Sequence, residues 1–255
     1  MKLGFIGTGK IASSVITGIC NSKIIFKNIL ISPRNKLIAK KLSKKFKKVV
    51  IVKNNQEIVN NCNWVFLSIT PIVGQKIIKK LNFKNNQTII SFISTMNLTQ
   101  LKKEIKVKAK IVRAIPLPPI SLKKGPVPIC PPNTKVKEFF NKIGTSIEIQ
   151  DEKSSINFWA VSGMMASYYE LLRVMIDWLV NKGVKRDNAQ RYITSLFLAL
   201  SEDAVFNSKK DLKHLVKDSQ TPNGLNEQGV RELTKAGFYK KLEKTLSNIH
   251  KRLDK

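Results

Sequence analysis

Along the first 150 residues, short apolar runs alternate with amphipathic stretches. The runs 3–6, 29–32, 49–52, 64–69, 88–92, 110–115 and 127–130 read as strands, and the stretches 35–46, 55–61 and 73–81 carry helical periodicity. Near-continuous apolar runs separated by helices predict a parallel sheet covered on both faces. A proline-rich break, Pro116-Leu-Pro-Pro119 to Gly125-Pro126, interrupts the rhythm, and Pro131-Pro132 precedes one more helix.

From residue 151 the strand signals stop, and helical patterns run through 153–182, 186–207, 209–217 and 226–253. The first of these carries Trp159, Met164, Met165, Tyr168, Leu171, Leu172, Met175, Trp178 and Leu179. That apolar face is too broad for a surface helix packed on one side, so it predicts burial in a core or between subunits. The expected organisation is an α/β domain over 1–150 followed by an all-helical domain over 151–255. There are no internal repeats and no low-complexity linker.

A chain of 255 residues can hold one large domain or two modest ones. It contains no stretch of about twenty apolar residues, so no membrane partner is expected. The chain enters a strand at once, which predicts no secretory segment. Cys20, Cys62 and Cys130 are odd in number and have no metal-like spacing; they read as core residues in a reducing, cytoplasmic setting. His214 and His250 lack a partner pattern for a metal or a proton relay, so no metal is expected.

The formal net charge of +29 raises the question of a nucleic-acid partner. Arginine, however, occurs only at 34, 113, 173, 186, 191, 231 and 252, and the remaining basic residues are lysines spread along helix faces. Base and phosphate recognition favours arginine's fork and interleaved aromatics. A solvated lysine surface is therefore expected, with no nucleic-acid partner, and its field suits an anionic cofactor or substrate.

The first candidate chemistry lies at the start of the chain. The run 3–6 flows into Gly7-x-Gly9-x-x-Ala12 and then an amphipathic stretch reaching Cys20, the strand, glycine turn and helix of a Rossmann-type, doubly wound dinucleotide domain. Gly7 permits the turn, Gly9 lets backbone approach a pyrophosphate, and Ala12 keeps the helix close to its strand. Gly7, Thr8, Gly9, Lys10 and Ile11 would cradle the anion with free N–H groups and the positive helix end. The second strand ends in Ile31-Ser-Pro-Arg-Asn35 with no acid nearby. A carboxylate there would bond the ribose of NAD, whereas Ser32, Arg34 and Asn35 can all donate to a 2′-phosphate, which selects NADP as cofactor.

Six segments in order, Phe5-Ile-Gly-Thr-Gly-Lys-Ile-Ala12, Ser32-Pro-Arg34, Val65-Phe-Leu-Ser-Ile-Thr-Pro71, Val112-Arg-Ala-Ile-Pro116, Ala160-Val-Ser-Gly163 and Thr221-Pro-Asn-Gly224, resemble the pyrroline-5-carboxylate reductase family over essentially the whole chain. The resemblance implies NADPH-dependent reduction of a cyclic imine to proline. It also implies a helical dimerisation domain, so that each active site joins one subunit's nucleotide domain to its partner's helices. By the same resemblance Asn55 approaches the adenosine portion and Ser68, Ile69, Thr70 and Pro71 run beneath the dinucleotide. Ser162, Gly163 and the 221–228 turn, with Thr221, Gly224 and Leu225, face the substrate.

The departures lie in the substrate half. The family usually has Lys-Pro at Thr70-Pro71 and Met-Pro-Asn-Thr-Pro at Ile115-Pro-Leu-Pro-Pro119. It has Ser-Gly-Ser-Gly-Pro-Ala-Tyr at Ser162-Gly-Met-Met-Ala-Ser-Tyr168, and Ser-Pro-Gly-Gly-Thr-Thr where this chain reads Thr221-Pro-Asn-Gly-Leu-Asn-Glu-Gln228. With both threonines of the turn replaced by Leu225 and Asn226, the proton for the imine must come from Asn226, Glu227, Tyr168 or water. On its own chemistry the turn feeds a helix: Pro222 sets the bend, Gly224 accommodates a positive φ, and Asn226 caps. Glu227 is either a buried proton donor or an ordinary first-turn acid that suits the dipole. Tyr168 and Tyr169 can donate a proton or serve as core aromatics. The reading is an NADPH-dependent reductase of a small carboxylated cyclic imine, acting as a homodimer or higher homo-oligomer. The alternatives are the same fold reducing a different imine or an oxo acid, or a non-catalytic NADP-binding relative.

Overall fold

The computed structural model describes residues 1–253, which form two compact units dividing between Phe158 and Trp159. The first unit is an eight-stranded sheet in the order β3-β2-β1-β4-β5-β6-β7-β8. Its strands are β1 (Lys2–Ile6), β2 (Asn28–Ile31), β3 (Val49–Ile51), β4 (Trp64–Leu67), β5 (Thr88–Ser91), β6 (Lys110–Ala114), β7 (Pro126–Cys130) and β8 (Thr145–Glu148). All neighbours pair parallel except β6 and β7. The connections are α1 (Lys10–Cys20), α2 (Lys36–Lys45), α3 (Asn55–Asn61), α4 (Pro71–Ile78), α5 (Leu98–Ile105) and α6 (Thr134–Asn141).

Side chains alternate across the sheet because the strand period is two. Phe5, Phe66, Ile90 and Val112 join one core cluster, while Ile6, Val65, Leu67, Ile89 and Ile111 join another. Phe5 stacks on Phe66 with ring centroids 4.3 Å apart. The expected Rossmann-type fold is thus present, and the strand order reverses between β1 and β4.

Four details differ from the sequence reading. The run 64–69 leaves the sheet at Leu67, because Pro71 starts α4 and Thr70 stands before it as N-cap. β7 runs antiparallel to β6 because a short 3-10 turn, Pro118–Leu122, joins them instead of a crossover helix. β8 shows no strand signal, having one strongly apolar residue in Thr-Ser-Ile-Glu and an edge position that needs no more. α5 starts at a capping box, Asn97 with Gln100, that the sequence reading passed over.

The second unit is all helical, as expected: α7 (Ser155–Ser162, which begins before the division), α8 (Met165–Asn181), α9 (Arg186–Phe206), α10 (Lys213–Asp218), α11 (Leu225–Lys235) and α12 (Phe238–Leu253). The long pattern 153–182 is two helices interrupted at Gly163 and Met164. The pattern 226–253 breaks at Gly237, whose φ of 71° no helix continues. Its buried core cluster is Leu172, Ile176, Ala189 and Ile193, with Met175, Leu179, Val180 and Phe197 packed against it, while Tyr168 and Trp178 on the apolar face of α8 stay exposed. Among the described residues no helix is long and apolar enough to cross a membrane, and no group of His, Cys, Asp and Glu could hold a metal ion. The three cysteines are free; burial pushes the Cys62 thiol up to about 12 and Cys20 up to about 11, against the pull of Lys2 and Lys48.

Candidate functional site

The glycine turn closes against its neighbour strand. Gly7 has φ of 101°, and a Cβ there would lie 2.2 Å from the Ser68 carbonyl oxygen and 2.6 Å from Ile69 Cγ2. Its N–H donates to Ser32 Oγ at 2.9 Å, and that hydroxyl donates to Asn55 Oδ1 at 2.5 Å. Ser32 is buried, so its hydroxyl ties the ends of β1 and β2 to the start of α3. Thr8 is also buried, yet its Oγ1 finds no partner among the described residues. A Cβ at Gly9 would meet nothing within 4 Å, which leaves space for a ligand against the backbone. Lys10 is exposed, Ile11 packs on the core and Ala12 is fully buried against the strand.

The helix N-termini sort the sheet's edge into used and unused donors. In a parallel strand–helix alternation, α1 to α5 all begin at the carboxyl edge. Three of them have Asn N-caps whose side chains accept a backbone N–H: Asn35 from Ile38, Asn54 from Glu57 and Asn97 from Gln100. The other two, α1 behind Gly9 and α4 behind Thr70, have no side-chain cap. These two follow β1 and β4, the strands that flank the reversal in strand order. Ligands of open α/β sheets bind at that switch point, and free first-turn N–H groups there suit an anion. Ser68, Ile69, Thr70 and Pro71 run from β4 into α4 at this place. Neither helix has an acid in its first turn.

Arg34, just past β2, is exposed and makes no ion pair among the described residues. Asn35 spends its Oδ1 on Ile38 N–H at 3.2 Å and keeps its amide N–H groups. An orphaned buried hydroxyl, open space at Gly9, two uncapped helix starts and an unpaired arginine without a neighbouring acid together fit a dinucleotide with a 2′-phosphate.

In the helical unit the remaining candidates occupy two places. Ser162 ends α7 and Gly163 follows it; a Cβ on Gly163 would lie 3.1 Å from the Ala160 carbonyl and 3.4 Å from Ile249 of α12, so only a glycine fits without displacement. Tyr168 is 42% exposed, its ring edge-on to Phe197 at 6.2 Å. The 221–228 turn precedes α11. Gly224 is its N-cap with φ −81°, and the positive φ falls on Asn223 at 59°, a residue that tolerates it. Gly224 is required for another reason: a Cβ would lie 2.2 Å from Thr221 Oγ1. Asn226 does not cap; its Nδ2 donates to the Ser219 carbonyl at 2.8 Å. Glu227 Oε2 accepts the Asn223 N–H at 2.6 Å, which places the carboxylate in the first-turn role. Leu225 is 86% exposed. Absence of a side-chain cap does not single out α11, because α8, α9 and α10 share it.

Thr221, Pro222 and Glu227 line a cleft of about 520 Å³ with Lys213, Val216, Lys217 and Gln220. The two lysines are cationic neighbours that sequence reading left in a solvated helix; nothing in the pattern marked them. Arg113, which the sequence reading did not single out, is buried in β6, and a single arginine inside an apolar strand run was the available signal.

Comparison with known proteins comes to the same two parts. The family described as NADP oxidoreductase, coenzyme F420-dependent, matches residues 2–98, and the family described as pyrroline-5-carboxylate reductase dimerisation matches residues 152–255. Pyrroline-5-carboxylate reductase 3 of Xenopus laevis is 23% identical, over 93% of this chain and 89% of that protein. The Arabidopsis thaliana pyrroline-5-carboxylate reductase is 26% identical, over 93% and 88%. Among solved structures, the Plasmodium falciparum pyrroline carboxylate reductase with NADP bound superposes with a TM-score of 0.84 at 23% identity, covering 99% of this chain and 97% of that one. The Streptococcus pyogenes 1-pyrroline-5-carboxylate reductase gives 0.82 at 22%, covering 99% and 98%.

Proposed function

This chain is related to the pyrroline-5-carboxylate reductases through both of its units, and on that premise we propose that it is an NADPH-dependent reductase of a small carboxylated cyclic imine, forming proline from pyrroline-5-carboxylate. The observation that carries the cofactor side is the pair of uncapped helix starts, α1 and α4, flanking the switch point while their neighbours are Asn-capped. Their N–H groups, with Gly7, Thr8, Gly9, Lys10 and Ile11, hold the pyrophosphate. Arg34 and the Asn35 amide meet the 2′-phosphate, and Ser32 with Asn55 hold the glycine turn in shape from beneath. Ser68, Ile69, Thr70 and Pro71 support the dinucleotide from the β4 side. NADPH, when bound, supplies the hydride.

On the substrate side, Ser162, Gly163 and the Thr221–Gly224–Leu225 turn orient the imine, and first-turn N–H groups of α11 with Lys217 receive its carboxylate. Glu227 is occupied as an acceptor, and Asn226 is tied to Ser219. Tyr168 or a water therefore delivers the proton to the imine nitrogen. The uncovered apolar face of the helical unit supports a homodimer, working in the reducing cytoplasm where the three cysteines stay free.

A second reading keeps the cofactor and changes the imine. It is favoured by Leu225, which puts an exposed apolar side chain into the substrate turn, and by Met164 and Met165 beside Gly163. The deciding experiment measures NADPH consumption and product formation with pyrroline-5-carboxylate and a panel of other cyclic imines and oxo acids. Proline formation is expected. Turnover of another imine alone supports the second reading, and failure to bind NADPH overturns both.

A further inference from the structure

The carboxyl edge holds a buried polar assembly that none of these contacts uses. Arg113, 4% exposed, donates from Nη1 to Glu152 Oε1 at 2.5 Å and from Nη2 to the Ser94 carbonyl at 2.6 Å. Glu152, in the segment that precedes α7, accepts the Leu98 N–H with both oxygens, at 2.8 and 3.1 Å. Leu98 is the first residue of α5, and Asn97 and Gln100 already satisfy each other in the capping box. The loop 92–97 between β5 and α5 is therefore gripped by a guanidinium on one carbonyl and by a carboxylate at its end.

A buried ion pair is a weak way to gain stability, since desolvating both charges offsets most of their attraction. What this pair does well is hold one backbone geometry. The loop passes that geometry on through Ile93 and Met96, both buried. A Cβ built on Gly74 of α4 would stand 3.0 Å from Ile93 Cδ1, 3.4 Å from Met96 Sδ and 3.8 Å from Ile69 Cγ1. Ile69 in turn lies against Gly7. Ile93 and Met96 share one core cluster, Ile69 packs against it, and Gly74 leaves room for that packing, which links the gripped loop to the segment beside the glycine turn.

We propose that Arg113 and Glu152 are positioning residues: their pair fixes loop 92–97, and through Ile93, Met96 and Ile69 it sets the β4–α4 segment against the glycine turn, and so the placement of the nicotinamide ring. This rests on the cofactor reading above. Arg34, the anchor for the 2′-phosphate, lies outside this chain of contacts, and the N–H groups of the glycine turn stay in place behind Ser32, so the clamp acts on ring placement more than on binding. A misplacement of about 1 Å at a reacting centre can cost roughly 10²-fold in rate.

Two variants test it. Glu152→Gln keeps the shape and an acceptor oxygen but removes the charge facing Arg113. Leu98→Pro removes the N–H that Glu152 accepts and trims a partly buried side chain at the margin of the core; proline fits the first helical position, and Asn97, at φ −76° and ψ 169°, already has the extended conformation that precedes proline. Both are measured for NADPH affinity, for the fluorescence lifetime of bound NADPH, and for turnover at saturating cofactor and substrate. The expected result is affinity within about threefold of wild type, a shortened lifetime as the ring loosens, and at least about a tenfold loss of rate. Wild-type lifetime and rate in either folded variant, with only a lower melting temperature, overturns the proposal and leaves a structural ion pair. Wild-type protein that does not bind NADPH overturns the cofactor reading and this proposal together.

Discussion

In the sheet-bearing unit Phe5, Phe66 and Phe140 are fully buried, whereas in the helical unit Trp178, Tyr192 and Phe206 are 60%, 63% and 87% exposed. The first unit closes its own core on both faces of a sheet. The second closes a buried cluster of four residues with four partly buried neighbours, and leaves more of its large apolar side chains exposed. Charge divides the same way: residues 1–158 hold 29 basic and 6 acidic side chains, and residues 159–255 hold 17 and 11. The unit that completes itself also carries the concentrated positive field that draws an anionic dinucleotide. A site built inside one unit can be argued from local geometry.

The largest test breaks the incomplete half. Tyr192→Asp places a charge on the exposed face of α9 and is expected to yield monomers by light scattering, with turnover down by about 10²-fold or more because a desolvated charge is costly at an interface. NADPH binding, confined to the other unit, stays intact; loss of both together would show that the units are not separable in this way. Next in size, Arg34→Ala is expected to weaken NADPH by about 2 kcal/mol and leave NADH nearly unchanged, since only one carries the phosphate. Equal losses in titrations of both cofactors would remove Arg34 from the site.

A third test uses pH. All three cysteines lie in the sheet unit, and Cys62 is held up to about 12 and Cys20 up to about 11 against an ordinary value of 9.0. Buried thiols stay neutral when the unfolded chain would ionise. Their contribution is therefore complete below about pH 9 and is lost as pH rises toward 11 and 12. Chemical denaturation between pH 8 and 11 is expected to show this slope in residues 1–158, and Cys62→Ala is expected to flatten it. The smallest effect belongs to Glu227→Gln. With its carboxylate accepting the Asn223 N–H, the change is expected to cost roughly 0.3–1 kcal/mol of stability and leave the maximal rate within about twofold. A rate loss near 10²-fold would restore Glu227 as proton donor.

The dinucleotide unit was legible because its signals are local. Gly7, Gly9 and Ala12 have spacings that one backbone geometry explains, and the acid-free Ser32-Pro33-Arg34 follows directly on a strand. The caps were not read: Asn35 was assigned to the phosphate and Asn54 and Asn97 were passed over, although Asn before helices α2, α3 and α5 contrasts with Gly9 and Thr70 before α1 and α4. Less could be read in the 221–228 turn. There Asn223 took the positive φ assigned to Gly224, and Asn226 reached back to Ser219 instead of capping. Both outcomes depend on which of two adjacent residues the turn bends at, and composition does not decide that.

Hydrophobic period and glycine spacing by themselves determined a parallel sheet followed by helices, the phosphate turn and the preference for a cationic end to β2. These follow from steric and hydrogen-bond rules that act within a few residues. Tertiary structure alone decided that β7 runs against β6 and that Ser32 supports the glycine turn from within. It also decided that Arg113 meets Glu152 across 39 positions of chain and that Tyr168 and Trp178 of α8 stay exposed while Leu172 and Ile176 are buried. Those facts depend on which distant segments share a surface, and the energy of such pairing is spread over contacts that no single stretch of sequence contains.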